Sequence, residues 1–392
     1  MRILLGGIPL GCDNIGDEAI IAGVVKMLKS SMPDAELTVA TADPATGDRL
    51  DVKVVPPYGF AGVGLEDFAA VAKMHDAYVW CGATGLSDYP DVALDLLDAA
   101  QKAGVATFVW GVGMDDELNP VFFRASGKRR ALLRLFGLVG WYERRLHAKL
   151  VRRISNILPR CKGVWLRDPQ SAAMLAKTGF PGAQIAADSA ILLQMKNEEW
   201  KMENADGTSS TPNSPFSILH SPFSTLGLCI STQRQVADLG GVRSLIAAVR
   251  ESGARVLGIP MNPKTDRALL ESLGVECIPG TTPEAVMAAA ATCDVVLSSR
   301  LHLLILAANV GTPGLGIARG SKLANWLANF NRPVEGSVSA CDWGQVTTHV
   351  LAALKERGDW DAVRVAAYAR LTARLESARE AFVGKLGACH AG

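Results

Sequence analysis

Short apolar runs alternate along this chain with longer stretches of helical period, and that alternation restricts the fold more than any other feature. In the first half the runs fall at residues 3–5, 37–40, 52–55, 77–80, 106–110 and 164–166. Between them, residues 17–28, 65–74, 92–102 and 171–177 place apolar side chains at three- and four-residue steps and end in Gly, Pro or polar clusters. Repeated strand–helix–strand units predict a parallel sheet covered on both faces by helices. A polar stretch at 197–215 breaks the pattern and predicts a linker or mobile loop. The alternation then resumes at 226–231, 255–259, 294–298 and 314–318, with helices at 242–251, 283–292, 301–309 and 323–330. With 392 residues available, the expectation is an α/β protein of two Rossmann-like parallel-sheet domains. The boundaries read as 1–196, a linker at 197–215, a second domain at 216–342, and terminal helices at 343–392 that pack back at the domain junction, with the ligand cleft between the domains.

Charge and cysteine usage narrow the function. Forty basic and thirty-nine acidic residues leave a formal charge of +1, so no global field gathers nucleic acid. The basic residues are unevenly placed: residues 124–162 hold twelve Lys or Arg and one acid, Glu143, beside an apolar stripe that includes Leu132, Leu135, Leu146, Leu150 and Ile154. One or two basic amphipathic helices are expected there. Their cations either face solvent while the stripe packs on the core, or attract anionic lipid or an anionic substrate carrier. Eight cysteines stand singly with no C-x-x-C pair, which predicts free thiols and no metal site. The N-terminal apolar stretch is too short for a signal peptide and no run of eighteen apolar residues occurs, so the expected location is the cytoplasm or a peripheral place at the inner face of the membrane.

Four segments at strand-to-helix junctions carry the candidate chemistry. Gly11-Cys-Asp-Asn-Ile-Gly-Asp-Glu offers backbone N–H groups and a helix N-terminus to a ligand, with Asn14 and Asp17 as polar groups that orient hydroxyls or cap the helix; a plain turn capped by Asp17 has the same pattern. Ser299-Arg-Leu-His302 sets a bidentate anion holder, Arg300, two residues before an acid–base candidate, His302. Arg167 and Lys322 add cations at further strand ends; taken alone, the Arg167-Asp168 segment reads as structural, with Asp168 as a helix cap ahead of Pro169. Neither a G-x-G-x-x-G nor a Walker-type phosphate loop is present, which counts against hydride transfer and ATP hydrolysis. Cations at several strand ends point to an anionic small molecule.

In this order, Asn14-Ile-Gly-Asp-Glu-Ala, Cys81-Gly-Ala-Thr-Gly-Leu, Gly111-Val-Gly113, Arg167-Asp with Ser171 and Gly179, Ala187-Asp188, Ile259-Pro with Asp266, Ser299-Arg-Leu-His302 and Lys322 resemble the polysaccharide pyruvyl transferase family over nearly the whole chain. The resemblance implies a glycosyltransferase-B-like fold and transfer of the enolpyruvyl unit of phosphoenolpyruvate, as co-substrate without a further cofactor or metal, onto a sugar or glycan acceptor that is free or lipid-linked. It implies His302 and Arg300 as catalytic residues, Arg167, Lys322 and Ser299 as donor-binding, and Asn14, Gly16, Asp17, Gly82 and Thr84 as acceptor-binding. The chain departs from the family pattern at Cys81-Gly-Ala83-Thr-Gly85, Ser231-Thr-Gln233 and Arg319-Gly-Ser321. A sugar-nucleotide glycosyltransferase or epimerase of the same shape, or a sugar-binding relative without turnover, are the competing readings.

Overall fold

The computed structural model describes residues 1–59, 62–116, 118–193, 224–231, 238–356 and 358–390. The linker expected at 197–215, and Thr232 and Gln233, lie outside the described residues. The chain divides into two compact units, one of residues 1–12, 20–189 and 371–392, the other of residues 13–19 and 190–370.

The first unit carries a sheet of seven strands: β1 (Arg2–Gly6), β2 (Glu36–Ala40), β3 (Lys53–Val55), β4 (Ala77–Cys81), β5 (Ala106–Val112), β6 (Gly163–Leu166) and β7 (Gln184–Ile185). Every pairing is parallel and the order is β3-β2-β1-β4-β5-β6-β7. Leu5 lies opposite Val39 on one side and Val79 on the other. All five residues of β4 are fully buried, which is why this strand is written as an unbroken apolar run rather than an alternating one.

The second unit repeats the plan with six strands: β8 (Thr225–Cys229), β9 (Arg255–Gly258), β10 (Glu276–Cys277), β11 (Val295–Ser298), β12 (Gly314–Ala318) and β13 (Gly336–Ser337), in the order β10-β9-β8-β11-β12-β13. The two-domain α/β reading therefore stands. The sequence analysis missed β7, β10 and β13, which have two residues each, too few to display any period. In each sheet the order reverses once, between β1 and β4 and between β8 and β11, and the carboxyl ends of the strands at such a reversal are where ligands bind in open α/β sheets.

Two boundaries differ from expectation. The helix Trp343–Lys355 is not a separate terminal element: Trp343, Val346, Val350 and Leu354 are buried in one cluster with Leu226, Val242 and Leu297 of the second unit. The last helix, Trp360–His390, is divided between the units at Arg370. In its first part Trp360 stacks on Phe330 at 5.1 Å and Tyr368 Oη donates to Asn309 Oδ1 at 2.6 Å. In its later part Phe382 stacks on Trp110 at 4.7 Å and meets Trp165 edge-on at 5.4 Å, closing one face of the first sheet. The third difference is residues 13–19, which follow β1 in sequence and pack with the second unit, because Ile15 N–H is held by Met261 O at 3.0 Å and Asp13 pairs with Lys264 at 2.6 Å.

Candidate active site

The loop after β11 is held rigidly before it presents any side chain. Ser298 Oγ accepts the Arg300 N–H and donates to the Arg300 carbonyl, both at 2.9 Å. Ser299, expected to bind the donor, is fully buried, and its hydroxyl accepts the Ser231 N–H at 2.9 Å. Its work is to tie the ends of β8 and β11 together at the point where the strand order reverses. Arg300 is gripped as a fork: Nε and Nη2 donate to the two oxygens of Asp266 at 3.0 and 2.8 Å. Asp266 has no exposed surface and also accepts the Asn262 N–H at 2.9 Å. A buried carboxylate bound on both oxygens fixes the guanidinium plane, so Arg300 is a positioned cation rather than a mobile one.

His302 follows in the first turn of the helix Leu301–Asn309, and its ring packs on the Asn14-Ile-Gly-Asp segment. A Cβ on Gly16 would come within 2.3 Å of His302 Nδ1, so only glycine lets the two segments approach this closely. Asn14, not Asp17, caps the helix Ile15–Ser31: its Oδ1 accepts the Gly16 N–H at 3.2 Å. Its amide then donates to Asp17 Oδ2 at 2.7 Å. Asp17 is 4% exposed, and burial pushes its pKa up to about 6 against the pull of His302, the Asn14 hydrogen bond and Lys322. A carboxyl poised there exchanges its proton near neutral pH, which is what acid–base work requires. Lys322 stands in the first turn of the helix Ser321–Leu327, whose cap, Gly320, has φ 122°, a backbone reached readily only by glycine.

Among the described residues, then, Asn14, Gly16, Asp17, His302 and Lys322 form one neighbourhood, with Ser299 and Arg300 at the base of the same loop. Asp266 and Met261 are the participants whose roles sequence reasoning missed. Asp266 was visible as part of the family pattern, but nothing in its spacing says that it answers Arg300. The hold on Ile15 comes from the Met261 carbonyl, which has no side-chain signature.

The remaining expected residues belong to the first unit and differ in character. Arg167 is 6% exposed; its Nε lies 3.2 Å from Asp168 and its Nη1 3.8 Å from Asp188. Burial works against its charge, but Asp168, Asp188 and Asp115 outweigh burial and raise its pKa further. A Cβ on Gly113 would come within 2.5 Å of the guanidinium. Arg167, expected to contact the donor, belongs to a buried ion cluster. Thr84, expected to meet the acceptor, donates its hydroxyl to the Asp88 carboxylate and shapes the turn after β4. Gly82, at φ +64°, packs where a Cβ would strike Ile20 at 2.4 Å. Ala83 beside it has φ +60°. These three serve the loop's shape. No group of three or more His, Cys, Asp or Glu residues is arranged to hold a metal among the described residues.

A family model described as polysaccharide pyruvyl transferase matches residues 14–321, most of the chain. No curated protein matches the sequence. Among solved structures, the UDP-GlcNAc 2-epimerase of Neisseria meningitidis bound to UDP-GlcNAc is similar with a TM-score of 0.60 at 12% identity, covering 98% of this chain and 99% of that one. Alr3699/HepE of Anabaena in complex with UDP and glucose gives 0.58 at 12% identity, covering 99% of each chain. A glycosyltransferase of Rickettsia africae gives 0.56 at 10%, covering 98% of each. At these identities the likeness is one of fold, and the fold is glycosyltransferase-B-like.

Proposed function

The chain belongs to the polysaccharide pyruvyl transferase family, a family of enzymes, and from that premise we propose that it moves the pyruvyl unit of phosphoenolpyruvate onto a sugar of a cell-surface polysaccharide or its precursor as a ketal. The observation that carries this reading is the packing of Asn14–Asp17 against His302, with Asp17 held near a pKa of 6. The reaction needs a proton for the methylene carbon of the enol. Addition of one sugar hydroxyl to the resulting cationic carbon, loss of phosphate and addition of a second hydroxyl complete it. The methylene becomes a methyl group, two hydroxyls are consumed, and one inorganic phosphate leaves. His302 is the general acid, and Asp17 shares its proton traffic rather than acting only as the acceptor contact first expected of it. Lys322 and the Asp266-held Arg300 stabilise the donor's phosphate and carboxylate. Asn14 orients the Asp17 carboxyl.

The test incubates the protein with phosphoenolpyruvate and a panel of N-acetylhexosamine carriers, following phosphate release and the mass of the acceptor. Phosphate release that depends on an acceptor and is lost in His302→Gln supports the scheme. Turnover of UDP-GlcNAc with no response to phosphoenolpyruvate overturns it in favour of a sugar-nucleotide enzyme.

A further inference from the structure

The basic segment 124–162 folds as two helices, Gly127–Leu135 and Val139–Ile157, and its two ends differ. At the root, Leu150, Ile154 and Ile157 are buried. Arg153 bridges Asp91 and Asp95 of the helix Pro90–Lys102, Lys149 lies 3.6 Å from Asp91, and Arg160 reaches Asp98 at 2.5 Å. Those cations are spent on the protein's own acids. At the outer end the shorter helix buries no residue. Leu135 is 81% exposed, Phe136 69%, Leu132 58%, Trp141 49% and Leu138 42%. Around them stand Lys128, Arg129, Arg130, Arg134, Arg144 and Arg145. Glu143 is the sole acid between 127 and 145, and its carboxylate accepts the Ala125 N–H at 3.2 Å. Arg129 Nη1 donates to Tyr142 Oη at 2.8 Å and braces the two helices, while the Arg145 guanidinium lies 5.4 Å from the Trp141 ring centre. Lys128, Arg130, Arg134 and Arg144 form no ion pair among the described residues.

We propose that the outer end of this hairpin, residues 127–145, docks on an anionic lipid bilayer. A nine-residue helix with no fully buried side chain, held by the Arg129–Tyr142 hydrogen bond and a half-buried Leu133, gains little from its own domain and is marginal in water. Its large apolar side chains, clustered on a surface, mark a contact site. The mixture decides the occupant. Leucine, phenylalanine and tryptophan ringed by cations match the boundary between acyl chains and negative headgroups, where apolar insertion and charge attraction act together. A second copy of the chain would bring the same positive charges face to face. Nucleic acid would neutralise the cations but leave the leucines unsatisfied. Arg153, Lys149 and Arg160 take no part, because their partners lie within the protein. This inference is independent of the reaction proposed above.

Co-sedimentation with phosphatidylglycerol-containing vesicles, against vesicles of phosphatidylcholine alone, tests it. The protein is expected to pellet with the anionic vesicles at low salt and to be released as salt rises. Each cation at such a surface is worth roughly fivefold in partitioning, so exchanging Lys128, Arg130, Arg134 and Arg144 for Ser lowers binding by roughly a hundredfold or more. Leu135→Ser with Phe136→Ser lowers it by roughly tenfold or more. Arg152→Ser, which removes an exposed cation from the root of the helix Val139–Ile157 beside the buried Leu150 and Ile154, leaves it nearly unchanged. All these side chains are exposed, so melting temperatures serve as the folding control, and the salt dependence of the unmodified protein stands without any variant. Failure to bind anionic vesicles at low salt, retention of binding in both outer-end variants, or loss in Arg152→Ser equal to theirs overturns the proposal. Self-association without lipid that disappears in the Leu135/Phe136 variant also overturns it and assigns the patch to a second copy.

Discussion

Arg167 and Arg300 each follow a parallel strand by no more than two residues, yet their surroundings differ in kind. Around Arg167 stand three carboxylates, and the arginine is driven further toward its charged form. Around Arg300 one carboxylate, Asp266, fixes the guanidinium, and two residues on His302 packs against the segment that carries Asp17, whose pKa is about 6. Arg167 is held in its charged form, whereas the second neighbourhood contains a group that changes state near neutral pH. An arginine at a strand end is thus not in itself an anion site. The acids that other parts of the chain bring to it decide.

The largest expected effect separates the two clusters by function. His302→Ala is expected to lower turnover by about 10²–10⁴ while its melting temperature stays within a few degrees of the parent. Steady-state rates beside a thermal melt check both halves, and turnover like the parent's would remove His302 from the chemistry. The Arg167 cluster should respond in the opposite sense. Arg167→Met removes the cation that Asp168, Asp188 and Asp115 share, and urea titration should show a loss of about 3–5 kcal/mol. Unchanged stability together with weakened phosphoenolpyruvate binding would return Arg167 to the donor site.

Asp17 offers a sharper contrast. Its folded pKa of about 6 lies above the ordinary value of 3.8, so the folded state binds the proton more tightly than the unfolded chain does. The stability this supplies is full below 3.8 and is lost as pH rises through 6, a change of roughly 3 kcal/mol. Asp17→Asn should abolish that fall, ending more stable than the parent at pH above 6 and much less active. Denaturant titrations on both sides of the window read it, and parallel pH profiles for parent and variant would contradict the burial argument. The smallest effect concerns the loop that supports Gly113 beside Arg167. Ala83 holds the Gly113 N–H at 2.7 Å from a backbone at φ +60°. Ala83→Gly should relieve that conformation and raise stability by about 1 kcal/mol. A lower melting temperature would show that Ala83 is not strained.

Both sheets, their parallel sense and most of their helices were legible, because a strand buried on two faces must be apolar throughout and a covering helix must repeat its apolar side every three or four residues. Asn14-Ile-Gly-Asp17 and Arg300-Leu-His302 were legible as candidates, since each places polar and ionisable groups where a strand runs into a helix. Which of the candidates work together was not. Gly16 and His302 are neighbours because residues 13–19 pack with the second unit, held there by the Asp13–Lys264 ion pair and by a backbone bond to Met261 that carries no residue signature. The partners of Arg167 and Arg300, and the division of the basic hairpin into a paired root and a bare outer end, were likewise decided by tertiary structure. Local sequence sets period and charge, but whether a charge is spent or available depends on what distant segments place beside it in a medium of low dielectric.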